Sequence, residues 1–459
     1  MLDSALSYAK ENEDKALEEL FEFLKISSIS AKPEHASDCR QAGEWVAEKL
    51  KTIGVENVEL VEVETGGPPL VLGDWLHAGD APTVLIYGHY DVQPVEPLEL
   101  WETPPFEPNV RDGKVYARGT ADDKGQLFLI IRAVESWLKS GKPPVNIRFL
   151  IEGEEESGGK GIHAFLKDPA NHPRCKADFA LIADSSFVSE GKPTITTALR
   201  GILYTELRVT GPGHDLHSGV AGGAVMNPLN ALSWILAKLV DEKTGKVLIP
   251  GFYDGIQFTE QDRKEISELG LDEKSWLKSM GTKKDWGEEG FSIAERTGAR
   301  PTLDINGIWG GFQGKGAKTV IASTAGAKVS MRLVPGQEPG DVFQKLEAYL
   351  KEITPEQITL EVRRLAGSKA IQIPSDLSEI KTASAVLEEV FGKKAVFERC
   401  GGSVPVGGDF KEYLGINTVY MGFGLPDDRV HSPNESFSLS QFHKGCQCVI
   451  RYLDALSSA

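Results

Sequence analysis

At 459 residues the chain is longer than one ordinary domain, so two or three domains are expected, each with its own core. A hydrophobic share of 41% and a charged share of 25% are those of a globular chain, and no run of eighteen apolar residues is present to span a bilayer. The net charge of −17 excludes sustained contact with nucleic acid or an anionic membrane, both of which need basic patches.

The opening stretch, MLDSALSYAKENEDKALEEL, reads as a charged amphipathic helix rather than a secretion signal, which predicts a cytoplasmic protein. Helices are expected at about 3–25 and 38–53, the second from the spacing of Cys39, Ala42, Trp45, Val46 and Leu50. Three apolar runs, at 84–87, 147–151 and 179–182, then read as buried strands, and each leads into residues able to bind a metal. This alternation of helix and strand predicts an α/β layer structure.

From about 200 the texture changes. Strict alternation over 201–211 predicts a strand, and Leu229, Leu232, Ile235, Leu236 and Leu239 predict a helix over 226–240. Strand patterns follow near 319–322 and 328–334, then a helix at 339–353 and a strand at 358–365. The polar stretch 241–315 reads as an elaborated insertion. After about 372 the α/β texture returns, with a helix at 375–391, a strand at 418–421 and a closing helix at 439–456. The simplest organisation is a discontinuous catalytic domain, 1–197 and 374–459, with a second domain, 198–373, inserted. The five cysteines Cys39, Cys175, Cys400, Cys446 and Cys448 are odd in number and scattered, which predicts reduced thiols.

The chemistry lies where strands end. The first strand delivers Gly88-His89-Tyr90-Asp91; on an extended backbone His89 and Asp91 share a face, so Asp91 can accept the imidazole N–H that His89 does not give to a metal. Asp122 and Asp123 precede a helix: one can cap it, and the other, Asp122, is left as a candidate metal bridge. In Glu152-Gly153-Glu154-Glu155-Glu156, four acids in five positions repel one another unless solvent or a cation relieves them. Glu156 is the candidate ligand there, with Glu155 left as general base. Asp184 after the third strand and His431 near the C-terminus complete two histidines, three ligand carboxylates and one spare glutamate. Three carboxylates and a bridging hydroxide balance two divalent ions. Mixed imidazole and carboxylate ligands suit zinc or manganese better than calcium, with zinc placed first and cobalt also compatible.

GHYDVQP, YARGTADDKGQ, EGEEESGG, DLHSGVAGG, GAKTVI, MRLVPG, GGSVPVGGD and VHSPNE occur in this order over most of the chain. This set resembles the carnosinase-type metallodipeptidases, relatives of carboxypeptidase G, aminoacylase and succinyl-diaminopimelate desuccinylase. The resemblance implies a two-domain α/β protein, a zinc-peptidase-like catalytic domain with an inserted α+β, ferredoxin-like lid and dimerisation domain. It implies that His89, Asp122 and Asp184 hold one metal and Asp122, Glu156 and His431 the other, with Asp91 orienting His89 and Glu155 shuttling the proton. It also implies a cis Asp122–Asp123 peptide. In a homodimer formed through the inserted domain, His217 would reach the partner's oxyanion with help from Thr319, while Arg332 and the Gly402–Ser403 turn would hold the substrate carboxylate. Cys400 departs from the pattern, since carnosinase-like enzymes can carry an acid there, and this bears on recognition of the substrate amino terminus.

Other readings are weaker. Gly159-X-Gly161-X-X-Ala164 follows a strand, but the glutamates before it would repel a pyrophosphate, and 310–315 falls short of a phosphate loop. No Gly-X-Ser-X-Gly elbow is present for a serine hydrolase. An inert metal-binding scaffold would have no use for Glu155. The expectation is therefore a metallodipeptidase in which water bridging two divalent ions is activated by Glu155, with an N-acyl-amino-acid deacylase or a glutamate carboxypeptidase as the alternative on the same site.

Overall fold

The computed structural model describes residues 1–402 and 405–457. The chain divides into two compact units: Met1–Thr197, Ile373–Glu398 and Val406–Ala459 form the first, Ala198–Gln372 and Arg399–Pro405 the second.

The first unit is built on a mixed sheet. Four strands at its centre are parallel, in the spatial order Asn146–Glu152, Thr83–His89, Phe179–Ile182 and Asn417–Tyr420. Their side chains are almost wholly buried, as expected of parallel strands covered by helices, and so they read as continuous apolar runs. Leu70–Trp75 and Glu56–Val61 extend the sheet antiparallel on one side. Because the central strands run the same way, their C-terminal ends release His89, the Glu152–Ser157 turn and Asp184 along one edge, where open α/β sheets place their ligands.

Helix Lys124–Ser140 packs on strand Thr83–His89 and against helix Leu439–Leu456, and every residue from Lys124 to Trp137 is buried. The expected helix over 3–25 is two helices, Leu2–Glu11 and Glu13–Leu24, broken at Asn12, whose side-chain amide donates to the Tyr8 carbonyl. Asn competes with the helix in this way through local backbone bonds.

The second unit carries a four-stranded antiparallel sheet in the order Thr302–Gly310, Thr324–Leu333, Gly201–Thr210 and Thr359–Ser368. Helices Pro228–Ala237 and Pro339–Ile353 pack on it around Leu207, Leu232, Ile235, Val329, Leu346 and Leu350. The chain order β-α-β-β-α-β with these neighbours is the ferredoxin-like arrangement. Two expectations change here. Residues 241–315 include three helices, Glu260–Glu268, Glu273–Ser279 and Ile293–Gly298, and contribute the edge strand Thr302–Gly310. That strand is mostly exposed and so lacks the alternation that marks a half-buried one. The pattern near 319–322 is a two-residue strand, Val320–Ile321, which pairs with Leu216–His217 rather than joining the main sheet.

Gly125, in the first turn of helix Lys124–Ser140, lies where a Cβ would meet the Thr120 carbonyl oxygen at 2.0 Å. The loop that carries Asp122 therefore requires glycine beneath it. Gly125→Ala is expected to cost about 1–3 kcal/mol by forcing that backbone apart. Urea denaturation checks this, and an unchanged midpoint would mean that the loop yields freely.

Candidate metal centre and active site

Two groups of side chains in the first unit could each hold a metal ion: His89, Asp122 and Asp184, and Asp122, Glu156 and His431. Asp122 belongs to both. Its Oδ1 lies 3.1 Å from His89 Nε2 and its Oδ2 2.8 Å from His431 Nε2, so the two carboxylate oxygens face different triads. His89 Nε2 is 3.7 Å from Asp184 Oδ2, and His431 Nε2 is 3.3 Å from Glu156 Oε2. The Asp122–Asp123 peptide is cis. Asp123 stands at the N-cap position, but its carboxylate makes no cap bond and instead accepts the His89 backbone N–H at 3.2 Å. It pins the end of the His89 strand to the metal loop.

The electrostatics of this cluster call for cations. Burial, followed by the charges of Asp184, Glu156 and Glu152, pushes Glu155 up to about 9. Burial and the Asp122 charge likewise raise Asp184 and, against its His431 hydrogen bond, Glu156. Burial would raise Asp122 too, but hydrogen bonds from His431 and His89 outweigh it and hold Asp122 below the usual carboxylate range. Hydrogen bonds to Asp122 and Glu156 raise His431 to about 10. Among the described residues the buried Glu156 Oε1 has no hydrogen-bond partner, and an orphaned carboxylate oxygen in such a place is explained by a ligand. Two imidazoles and three carboxylates in two triads sharing one bridge fit a pair of divalent ions. Neither triad uses Glu155, which stays beside them in the turn Glu155–Ser157.

Asp91 is fully buried; His89 Nδ1 bonds its backbone carbonyl at 3.1 Å, and its carboxylate Oδ1 lies 3.3 Å from the same nitrogen, so the residue holds the imidazole through main chain and side chain together. The same Oδ1 accepts the Glu155 N–H at 3.2 Å, and Oδ2 accepts the Glu156 N–H at 3.1 Å. Asp91 therefore also holds the glutamate turn.

In the second unit, His217 and Thr319 are neighbours on the short ribbon: His217 pairs with Val320, and the Ser218 N–H donates to the Thr319 carbonyl at 3.1 Å. His217 Nδ1 accepts the Gly219 N–H at 3.0 Å, which leaves the proton of the neutral ring on Nε2 as a donor. Arg332 lies on strand Thr324–Leu333, and its charge, after burial, brings Arg200 down to about 10. Gly402 is exposed, with its N–H 3.4 Å from Cys400 Sγ. Ser403 lies outside the described residues.

Sequence reasoning passed over several residues. Gln93 Nε2 donates to Glu156 Oε2 at 2.6 Å, and its place in GHYDVQP, at the face-sharing spacing from Asp91, was the available signal. Glu435 is the larger omission. Fully buried, it accepts the backbone N–H groups of Gly119, Ala121 and Asp122 at 2.8–3.2 Å and an Arg118 guanidinium N–H at 2.7 Å. It ties the Asp122 loop to the loop carrying His431. That second loop puts Arg429, His431 and Asn434 in left-handed backbone conformations, each costing about 1–3 kcal/mol and persisting only where the surroundings impose them. Asn434 supplies part of that constraint, its side chain bonding the Glu102 N–H and the Leu100 carbonyl at 2.8 Å.

A model of peptidase family M20/M25/M40 matches residues 85–455, which spans every residue of both triads. The chain belongs to peptidase family M20/M25/M40. Among its M20 relatives, Cys-Gly metallodipeptidase DUG1 of Candida albicans is 31% identical over 97% of this chain and 95% of its own length. The crystal structure of human carnosine dipeptidase 1 matches with a TM-score of 0.85 at 28% identity, over 100% of this chain and 99% of that one. The M20 metallo-carboxypeptidase Sso-CP2 of Sulfolobus solfataricus matches with a TM-score of 0.86 at 31% identity, over 97% and 99%.

Removing Glu435 would leave the Arg118 charge buried without its partner and three backbone donors unanswered. Glu435→Ala is expected to destabilise the protein by about 3–5 kcal/mol, as for a broken buried ion pair, and to weaken metal retention. Denaturation with metal analysis of the folded fraction checks both; a variant as stable as its parent would contradict the anchoring role.

Proposed function

We propose that this chain is a metal-dependent dipeptidase whose centre is the pair of triads joined at Asp122, with Glu155 as the proton-transferring group. The observation that carries this reading is the bridging geometry of Asp122, one oxygen toward each histidine, beside a glutamate that neither triad consumes. The M20 relatives named Cys-Gly metallodipeptidase and carnosine dipeptidase, which this chain matches along nearly its whole length, favour a dipeptide as substrate.

Two divalent ions held by these residues would supply Lewis acidity toward the amide carbonyl and bring the pKa of water toward neutrality. Glu155 then accepts the proton of the attacking water and returns it to the leaving amine. Its high affinity for a proton among neighbouring carboxylates suits it to the second task, and nearby divalent charge suits it to the first. Asp91 keeps His89 in the orientation that presents Nε2 to its triad. In the proposed dimer His217, with its proton on Nε2, reaches across to the partner's oxyanion with help from Thr319; Arg332, Gly402 and Ser403 hold the substrate carboxylate, for which a guanidinium fork is well shaped.

Zinc is the proposed metal, on the mixture of imidazole and carboxylate donors. The proposed assembly is a homodimer through the second unit, supported by Ile305, Ile308 and Trp309 exposed on the edge strand Thr302–Gly310, whose open edge invites pairing. A cytoplasmic location is proposed because Cys39, Cys175, Cys446 and Cys448 are buried as thiols rather than paired in disulfides. Among the described residues no helix is long and apolar enough to cross a membrane.

Chelator-stripped protein, given zinc, manganese or cobalt singly, is expected to recover cleavage of dipeptides. Recovery on N-acyl amino acids alone would move it to a deacylase, and no recovery with any metal would leave an inert scaffold. Glu155→Gln should retain both ions while losing about 10²–10⁴-fold in kcat, the contribution of a positioned acid–base group. An active Gln variant would sink the role given to Glu155.

A further inference from the structure

Asp91 contacts both His89 and the Glu155–Glu156 turn, and its carboxylate also accepts a bond from Ser30. Its buried carboxylate faces four donors. Oδ1 accepts the Glu155 N–H at 3.2 Å and lies 3.3 Å from His89 Nδ1, which also bonds the Asp91 backbone carbonyl at 3.1 Å. Oδ2 takes the Glu156 N–H at 3.1 Å and the Ser30 hydroxyl at 2.6 Å. The Ser30 bond is by far the shortest, in the range of a charge-assisted O–H···O⁻ bond.

Ser30 comes from a segment that the chain has fixed for this purpose. Lys124, buried at the start of the helix after the metal loop, donates to the Phe23 carbonyl at 3.1 Å and the Ile26 carbonyl at 2.6 Å. Ser28 then runs beside the end of the His89 strand: its hydroxyl donates to the Tyr90 carbonyl at 2.6 Å and its carbonyl accepts the Val92 N–H at 2.9 Å. Backbone and side chain together set Ser30 at the carboxylate. Ser27, three residues earlier in the same segment, points elsewhere and donates to Asp38 at 2.7 Å.

We propose that Ser30 is a positioning residue for the metal centre, holding the Asp91 carboxylate so that it orients His89 and the Glu155–Glu156 turn together. This rests on the dipeptidase reading for its catalytic half. A fully buried carboxylate has no water to replace a lost donor, so without the hydroxyl Oδ2 keeps only the long amide bond and the group turns toward whichever remaining donor is nearest. Either turn loosens one member: the imidazole that offers Nε2 to its triad, or the turn that carries the proton-transferring glutamate and a ligand of the other triad.

The test uses the full-length protein and three variants, Ser30→Ala, Ser30→Thr and Ser27→Ala. Zinc affinity is measured by competition with a chromophoric chelator, kcat and KM on the fastest-cleaved dipeptide, and thermal unfolding on each. Ser30→Ala is expected to weaken zinc binding at least about tenfold, the usual scale for a group that orients a ligand, and to lower kcat with KM unchanged. Ser30→Thr, which keeps the hydroxyl, should restore both, and Ser27→Ala should leave both intact. The proposal is overturned if Ser30→Ala stays within about twofold of the parent in affinity and kcat, if threonine fails to rescue, or if Ser27→Ala gives the same losses, which would mark a general loosening of the segment. A parent protein that cleaves no dipeptide with any metal would overturn the dipeptidase reading instead, and the zinc competition alone would then decide the role of Ser30.

Discussion

The centre of the first unit depends on one carboxylate that binds neither metal nor substrate. Glu435 answers three backbone donors of the Asp122 loop, those of Gly119, Ala121 and Asp122, and the guanidinium of Arg118, with no solvent present. Taking both charges out of water is costly, and only the completeness of the hydrogen bonding offsets it. The result is a rigid joint between two loops more than three hundred residues apart in sequence. One of them carries the Asp122 carboxylate and the other the His431 imidazole. Those side chains lie 2.8 Å apart, on the two loops that Glu435 joins.

The joint sets Asp122 among carboxylates that repel one another. Asp122, Glu155, Glu156 and Asp184 crowd one edge of the sheet, and burial with mutual repulsion raises three of the four. Only Asp122, which has both histidines, is held low. A set of acids placed at the ends of buried strands favours whatever relieves the repulsion, a proton or positive charge between the carboxylates. The neutral donors Gln93 and Ser30, and the backbone amides of Glu155 and Glu156, fix the acids without neutralising them. Charge is thus left available for a metal while orientation is not left to chance.

Much of this was legible in the residues alone, for a physical reason. Parallel strands buried on both faces read as unbroken apolar runs, so Phe179–Ile182 could be bounded to the residue and His89, Glu156 and Asp184 could be seen at strand ends. Helix Pro339–Ile353 and helix Leu439–Leu456 were equally plain, being long, periodic and flanked by turns. Edge strand Thr302–Gly310 was not, because a strand with one neighbour and little burial carries no periodic signal. Asp123 looked like a helix cap, since position suggests it, but tertiary structure gave its carboxylate to the His89 backbone. Glu435 and Ser30 could not be read at all: a glutamate after Pro-Asn and a serine among serines acquire meaning only from the partners that folding brings to them.

Those partners lie far away along the chain, and this shapes how the centre comes into being. Ser30 meets Asp91 across 61 positions, Gln93 meets Glu156 across 63, and Asp122 meets His431 across 309. Such contacts require loop closures whose entropic cost grows only slowly with length but must be met before the contact forms. Residues 89–184 carry the whole of one triad, but no part of the sequence short of residue 431 carries both. The triad containing His431 is complete only when residues near the C-terminus have closed onto the Asp122 loop through Glu435. Ion binding is in this way coupled to the folded state of the whole first unit, so that a metal stabilises the native chain by as much as it prefers the assembled pair of triads to scattered ligands.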